Sequence, residues 1–213
     1  VKIQSFVVGA FQENAYLLVD EPSRRAVLVD PGDEGEALLA AVATAGCTLE
    51  AIWLTHAHLD HIGGIAAICR AQAVPIFLHP DDLPVYQFAP QVAARYGLPF
   101  EQGPLPDRRL QEGDELSLGD LRFTVWHMPG HAPGHVILHG EGVAFGGDVL
   151  FAGSVGRTDL PGSDGAAFGR TLARMATLPP ATVVLPGHGP ETTIGAELAT
   201  NPFLTGLALP VRR

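Results

Sequence analysis

Cysteine is nearly absent: the 213 residues hold two, Cys47 and Cys69. A pair so far apart is neither a disulfide framework nor a CxxC site. Both lie in alanine-rich stretches and read as buried free thiols, a usage that fits a reducing, cytoplasmic location. Positive charge is also scarce. Thirteen Lys and Arg against 23 Asp and Glu leave a net charge of −10. With no Lys/Arg-rich run, the chain is not expected to bind nucleic acid or an anionic membrane, and a small-molecule partner is expected instead. No apolar run approaches the ~18 residues of a membrane span. No charged-then-apolar leader opens the chain, and there is no internal repeat or low-complexity tract. A hydrophobic fraction of 46% against 17% charged marks an ordinary globular protein with length enough for a sizeable core.

What is present is an interleaving of strand-like and helix-like runs. "IQSFVVG", "NAYLLVD" and "RAVLVDPG" read as strands broken by turn residues. "EGEALLAAVATAG" reads as an amphipathic helix closed by Gly46. "AIWL" is a buried strand, "HIGGIAAICRAQ" a helix and "VPIFLH" a strand. Residues 80 to about 110 carry six prolines and several aromatics and read as an irregular, partly helical insert serving as a lid. "LRFTVWHM", "HVILHG" and "GVAFGG" are strands, "DGAAFGRTLARMATL" a helix, "ATVVLPG" a final strand, and the tail after Pro190 short and helical. This is the pattern of an α/β (α+β) protein with stacked sheets covered by helices. No linker-like segment divides residues 1–213, so a single domain is expected.

Five apolar runs stop at a residue of metal-ligand type. "AVLV" ends at Asp30, "AIWLT" at His56, "FTVWHMPG" at His131, "GVAFGG" at Asp148 and "TVVLPG" at His188. Strands that end at one edge gather such residues into one pocket. The stretch "THAHLDHIGG" is the densest. His56 and His58 are two apart and point the same way in an extended segment. Asp60 and His61 fall where a helix begins, and Gly63 and Gly64 permit close backbone approach. Imidazoles with a few carboxylates suit zinc, iron or manganese. His79, His127 and His139 read as packing or surface residues. His135, four after His131, is the candidate for a residue that supports a ligand from behind.

"THAHLDHIGG", "PGHAPGH", "GGDVLF" and "PGHGPETTIGAE", in that order, resemble the metallo-β-lactamase superfamily, most closely its short bacterial glyoxalase II-like hydrolases. The resemblance implies a four-layer αββα sandwich with two divalent metal ions at one edge. His56, His58 and His131 would hold the first, Asp60, His61 and His188 the second, and Asp148 both. Asp30 would support the site without binding metal. The final His61 counts against lactamase branches that lack it, and His58, with no flavodoxin-like domain following, against the flavodiiron branch.

Two cations a few ångströms apart clamp a water and lower its pKa toward neutrality. The expected chemistry is therefore hydrolysis, of a thioester such as S-lactoylglutathione, by a metal-bound hydroxide, with Asp60 and Asp148 as the catalytic carboxylates. The sequence offers no persuasive serine or cysteine nucleophile. Arg157, nine positions after Asp148, matches the basic residue that grips glutathione in the resembled family and suits a carboxylate. The chain ends 25 residues after His188, so the larger members' C-terminal helical domain is not expected, and Pro190 stands where they carry a tyrosine. Glutathione recognition then rests on Arg157 and residues 80 to 110, where Tyr86, Phe88, Tyr96 and Phe100 are candidate pocket residues. A mononuclear iron persulfide dioxygenase is the alternative; lactone or phosphodiester hydrolysis on the same ligands stays open, as does a non-catalytic metal-binding protein. The true substrate, native metal and oligomeric state are not legible.

Overall fold

The computed structural model describes residues 1–206. In chain order the elements are β1 (Lys2–Val8), β2 (Glu13–Asp20), β3 (Arg25–Val29), α1 (Gly35–Thr44), β4 (Thr48–Trp53), α2 (Leu59–Ile62), α3 (Ile65–Ala71), β5 (Ile76–Leu78), a 3-10 turn (Pro80–Asp82), α4 (Leu83–Tyr96), β6 (Arg108–Arg109), β7 (Glu115–Leu118), β8 (Leu121–His127), β9 (Val136–Gly140), β10 (Val143–Gly147), β11 (Leu150–Phe151), β12 (Ser154–Val155), α5 (Gly165–Met175), β13 (Val183–Pro186), β14 (Thr192–Thr193) and α6 (Ile194–Thr200). One six-stranded sheet runs β1-β2-β3-β4-β5-β6 and the other β14-β13-β10-β9-β8-β7. The first is antiparallel from β1 to β3 and parallel from β3 to β6. In the second, only β10 and β13 pair in parallel.

The apolar runs are continuous because both faces of the strands are covered. In β2, Leu17 and Val19 join the cluster under the helices while Tyr16 and Leu18 enter the layer between the sheets. Leu28 and Ile52 take the helix side, and Val29 and Trp53 the inner side. Phe123, Val125, Leu138, Phe145 and Leu185 of the second sheet close that inner layer. Behind the second sheet, Ile137, Ala144 and Val184 pack on Phe168, Leu172 and Met175 of α5. The result is the expected αββα stack.

Several local expectations are corrected. "HIGGIAAICRAQ" is two helices, not one, because the loop after β3 docks at the break: Gly64 donates its amide to the Pro31 carbonyl at 2.9 Å. A Cβ on Gly63 would stand 2.4 Å from the Gly32 oxygen, so only glycine allows this approach. Residues 80 to 110 are more regular than expected, since α4 runs 14 residues through Pro90. "ATVVLPG" is not the last strand: Thr192 and Thr193 pair back onto β13. β7 alternates buried and exposed residues and was not anticipated. Cys47 and Cys69 are free but half-buried rather than buried. The helical tail extends to Thr200; residues 207–213 lie outside the described chain.

Candidate active site

The loops after β3, β4, β8, β10 and β13 meet at one edge of the sandwich. β4 ends at Trp53, and His58 is still extended (φ −64°, ψ 154°) where α2 begins, which delivers Asp60 and His61 from the first turn of that helix. His56, His61, His131 and Asp148 are buried, while His58, Asp60 and His188 face the opening.

Two groups of side chains form there, beside a third, overlapping one of Asp30, His56 and His61. His56, His58 and His131 bring ring nitrogens within 4.8 Å of one another, and so do the donor atoms of Asp60, His61 and His188. His58 Nδ1 lies 2.8 Å from His131 Nε2, and His188 Nε2 lies 3.2 Å from Asp60 Oδ2. Asp148 touches both groups. Its Oδ2 is 3.4 Å from His131 Nε2 and 3.7 Å from His188 Nε2, and its Oδ1 is 3.5 Å from His61 Nε2. The seven residues singled out in the sequence are thus brought together.

Hydrogen bonds at the back of the rings decide which nitrogen faces inward. His131 Nδ1 donates to the Arg157 carbonyl at 2.8 Å, which turns its Nε2 into the site. His61 Nδ1 lies 3.1 Å from Asp30 Oδ2, which leaves its Nε2 directed at Asp148. Asp30 is itself held with φ +48° and accepts from the Thr55 amide at 2.7 Å and the Thr55 hydroxyl at 2.6 Å. Both Asp30 oxygens are so engaged, and the carboxylate also lies within 4.8 Å of donor atoms of His56 and His61. His135 stacks on His56 at 4.7 Å, and its Nε2 accepts from the Asp148 amide at 3.0 Å. Inside the ring of candidate ligands, His56 Nε2, His61 Nε2 and Asp148 Oδ1 are buried with no hydrogen-bond partner. Orphaned buried groups of this kind are costly unless a ligand satisfies them. Convergent imidazole nitrogens and a carboxylate are the donor set of a divalent transition metal, so the residues fit two such ions.

The electrostatics divide along the same line. Burial pushes His56 well below the usual imidazole range, with the imidazoles of His61 and His135 adding to it. Burial and then His131 push His58 down to about 3, and burial lowers His131. His61 and His188 move the other way: burial opposes their charge, but the carboxylates of Asp148 and Asp30 raise His61, and those of Asp60 and Asp148 raise His188. Burial also opposes ionisation of Asp148, yet His61, His131 and His188 hold it well below the usual carboxylate range.

Three supporting residues escaped the sequence reading. Glu13 is wholly buried with neither carboxylate oxygen hydrogen-bonded, Oε1 lying at ion-pair distance, 3.7 Å, from His61 Nδ1, and burial pushes its carboxyl well up. A charged residue opening an otherwise apolar strand was the available signal. Asn14 donates through Nδ2 to the Pro186 and Gly189 carbonyls at 2.9 and 2.8 Å, bracketing His188. Asp82 accepts from the Ala57 amide at 2.8 Å and the Gly134 amide at 2.5 Å, tying together the loops that carry His58 and His131.

A cavity of about 370 Å³ opens over the ligands, lined by His58, Asp60, His131, Asp148 and His188. Arg157 reaches its rim, but the guanidinium is exposed and bonded to Asp159 at 2.6 and 2.9 Å rather than turned to the site. Of the four candidate aromatics, only Tyr96 lines this cavity. Phe100 lines a neighbouring one. Tyr86 is buried and donates to the Pro104 carbonyl at 2.7 Å, and Phe88 is exposed with Arg95 above its ring. His79 and His127 stack at 4.1 Å and, with Asp81, form a further group whose donor atoms lie within 4.8 Å of one another, and His139 packs on Trp126 at 4.3 Å.

The metallo-beta-lactamase superfamily model matches residues 8–188. Hydroxyacylglutathione hydrolase GloC of Haemophilus influenzae is 38% identical over 209 residues, covering 96% of this chain and 98% of that one. Among solved structures, TTHA1623 in a di-iron-bound form shares 49% identity with a TM-score of 0.87, covering 94% of this chain and 100% of that one. BLEG-1 B3 metallo-beta-lactamase shares 38% identity with a TM-score of 0.89, covering 96% and 100%.

Proposed function

The chain belongs to the metallo-β-lactamase superfamily and is a metal-dependent hydrolase; from that premise we propose that it hydrolyses a thioester of the hydroxyacylglutathione kind at a two-metal centre. The observation that carries the reading is Asp148 standing within 3.4 to 3.7 Å of His61, His131 and His188, between two groups of candidate ligands. His56, His58 and His131 would hold one ion, Asp60, His61 and His188 the other, and Asp148 would contribute to both. Zinc suits this donor set, and iron is equally admitted, since the 49% identical TTHA1623 is described in a di-iron-bound form. Two such cations, when bound, supply Lewis acidity toward a carbonyl oxygen and toward water.

The chain's own residues do the rest. Asp60, fixed by His188, faces the cavity and accepts a hydrogen bond from the attacking water. Asp30 and the Arg157 carbonyl hold the tautomers of His61 and His131. The walls of the cavity position the acyl group and limit bulk water. GloC's description as a hydroxyacylglutathione hydrolase supports the thioester. The second group of candidate ligands favours this reading over one with a single iron. Among the described residues no helix is long and apolar enough to cross a membrane, and a small-molecule substrate in the cytoplasm is the setting we propose.

The test is S-lactoylglutathione hydrolysis by protein reconstituted with zinc, iron or manganese, with His58→Ala as the blank. The expected result is metal-dependent turnover, two ions per chain, and loss of turnover in the variant. Two bound ions with no turnover would sink the thioester and turn attention to lactones and phosphodiesters.

A further inference from the structure

Phe11, Leu59 and Asp60 separate the cavity over the ligands from a second one of about 500 Å³ and line both. Away from the ligands, the first cavity is apolar. Val85, Ala89 and Val92 come from α4 at helical spacing, and Phe151, Val155 and Leu160 come from the segment after β10. At the mouth, Tyr96 at the end of α4 meets Phe11 edge to face at 5.6 Å. Both rings are substantially exposed, and they join α4 to the β1–β2 turn.

Charge points the same way. Among the described residues, histidines aside, Arg157 is the one basic residue lining the first cavity, and its guanidinium is bonded to Asp159. Among the described residues, the second cavity is lined by Asp33, Asp60 and Glu101 and by no basic residue. Glutathione carries two carboxylates, and a carboxylate taken out of water needs a cation or several donors. Among the described residues neither cavity presents an unpaired cation. An alkyl chain needs none, and gains by covering these walls.

We infer, resting on the thioesterase part of the reading above and departing from its hydroxyacylglutathione part, that the cavity is an acyl-chain subsite and that the preferred substrates are thioesters joining a hydrophobic acyl group to an uncharged thiol. Hydrolysis breaks the acyl C–S bond, forms a C–O bond from water, and yields a carboxylate, a thiol and one proton.

The test compares kcat/KM for the hexanoyl thioester of N-acetylcysteamine, S-hexanoylglutathione and S-lactoylglutathione on the metal-loaded protein. The expected result is at least a tenfold preference for the neutral hexanoyl thioester over S-lactoylglutathione, with S-hexanoylglutathione between them. Val92→Asp abolishes that preference and Val92→Ile retains it. S-lactoylglutathione turned over as well or better, with a tenfold loss in Arg157→Ala, overturns the inference. Calorimetry with two uncleavable thioethers separates the two readings. Tighter binding of S-hexyl-N-acetylcysteamine than of S-methylglutathione, with no thioester cleaved, sinks the thioesterase reading and keeps the acyl subsite. The reverse order of affinity sinks the subsite.

Discussion

A buried carboxylate needs donors, and Asp82 finds them in two backbone amides, those of Ala57 and Gly134. Those amides lie 25 and 52 residues away in the chain, so nothing in "HPDD" announced the role; only the fold brings the donors to it. The contact is close enough that a Cβ on Gly134 would stand 2.5 Å from the Asp82 nitrogen. Asp82→Ala strands two buried N–H groups, each costing roughly 1–3 kcal/mol. We expect a loss of about 3 kcal/mol in urea unfolding at pH 7, and weaker metal at the His56, His58 and His131 group. Asp82→Asn, which keeps one acceptor, loses less. Burial pushes the Asp82 carboxyl up to about 6, its two amide donors pulling the other way. Folding therefore favours its neutral form, so this contribution is present below about pH 4 and is lost as pH rises through about 6. The pH profile of Asp82→Asn stability lacks that fall, and a profile parallel to wild type removes the assignment. His56, His58, Asp60 and His61 were legible for the opposite reason: their spacing within ten residues is itself the geometry.

At the scale of elements, the strand ends were the readable part. Strands buried on both faces show as unbroken apolar runs, and the first polar residue after each falls at the same edge. What was not readable depended on partners elsewhere. The break between α2 and α3 is made by the loop after β3. The length of α4 was hidden by Pro90, at the eighth position of the helix, which local propensity reads as a stop. α4 persists because Tyr86 and Ala89 are anchored in the core. Pro90 removes the amide that would bond to the Tyr86 carbonyl, so Pro90→Ala is expected to stabilise the protein by about 1–3 kcal/mol, read as a higher Tm; a lower Tm would show that the ring's packing outweighs the lost bond. The other element-scale device is the tie between β2 and the loop after β13. The Asn14 amide donates to the Gly187 carbonyl at 2.8 Å, its side chain to Pro186 and Gly189, and the Tyr16 hydroxyl to Pro186 at 2.7 Å. Asn14→Ala loosens His188 without touching His58. The second ion should bind about 10–100-fold more weakly while the first is held as before, measured by metal titration of the variant; equal weakening of both ions would mean that the strand supports the whole site.

Over the whole molecule, the αββα layering was legible from the alternation of runs, and the acidic balance from counting, but the split in protonation between the two ligand groups was not. It arises from depth and from which carboxylates face which rings. His56, His58 and His131 are pushed down by burial, which disfavours their protonated forms. His61 and His188 are held up by Asp30, Asp60 and Asp148 and tend to keep a proton in the metal-free protein. A metal ion requires neutral imidazole, so entry into the second group displaces protons and entry into the first does not. Filling of the second group should therefore weaken as pH falls, because the metal-free state there binds more protons. Zinc titrated calorimetrically into chelator-stripped protein at pH 8 and pH 6, in two buffers of different ionisation heat, should show a first step of nearly constant affinity. The second step should weaken at least tenfold at the lower pH and release protons to the buffer. Bound metal stabilises the fold by mass action, about 2.7 kcal/mol at a free concentration of one hundred times Kd, so Tm follows the same two steps. Equal pH dependence of both steps would show that the carboxylates do not set the order in which the groups fill.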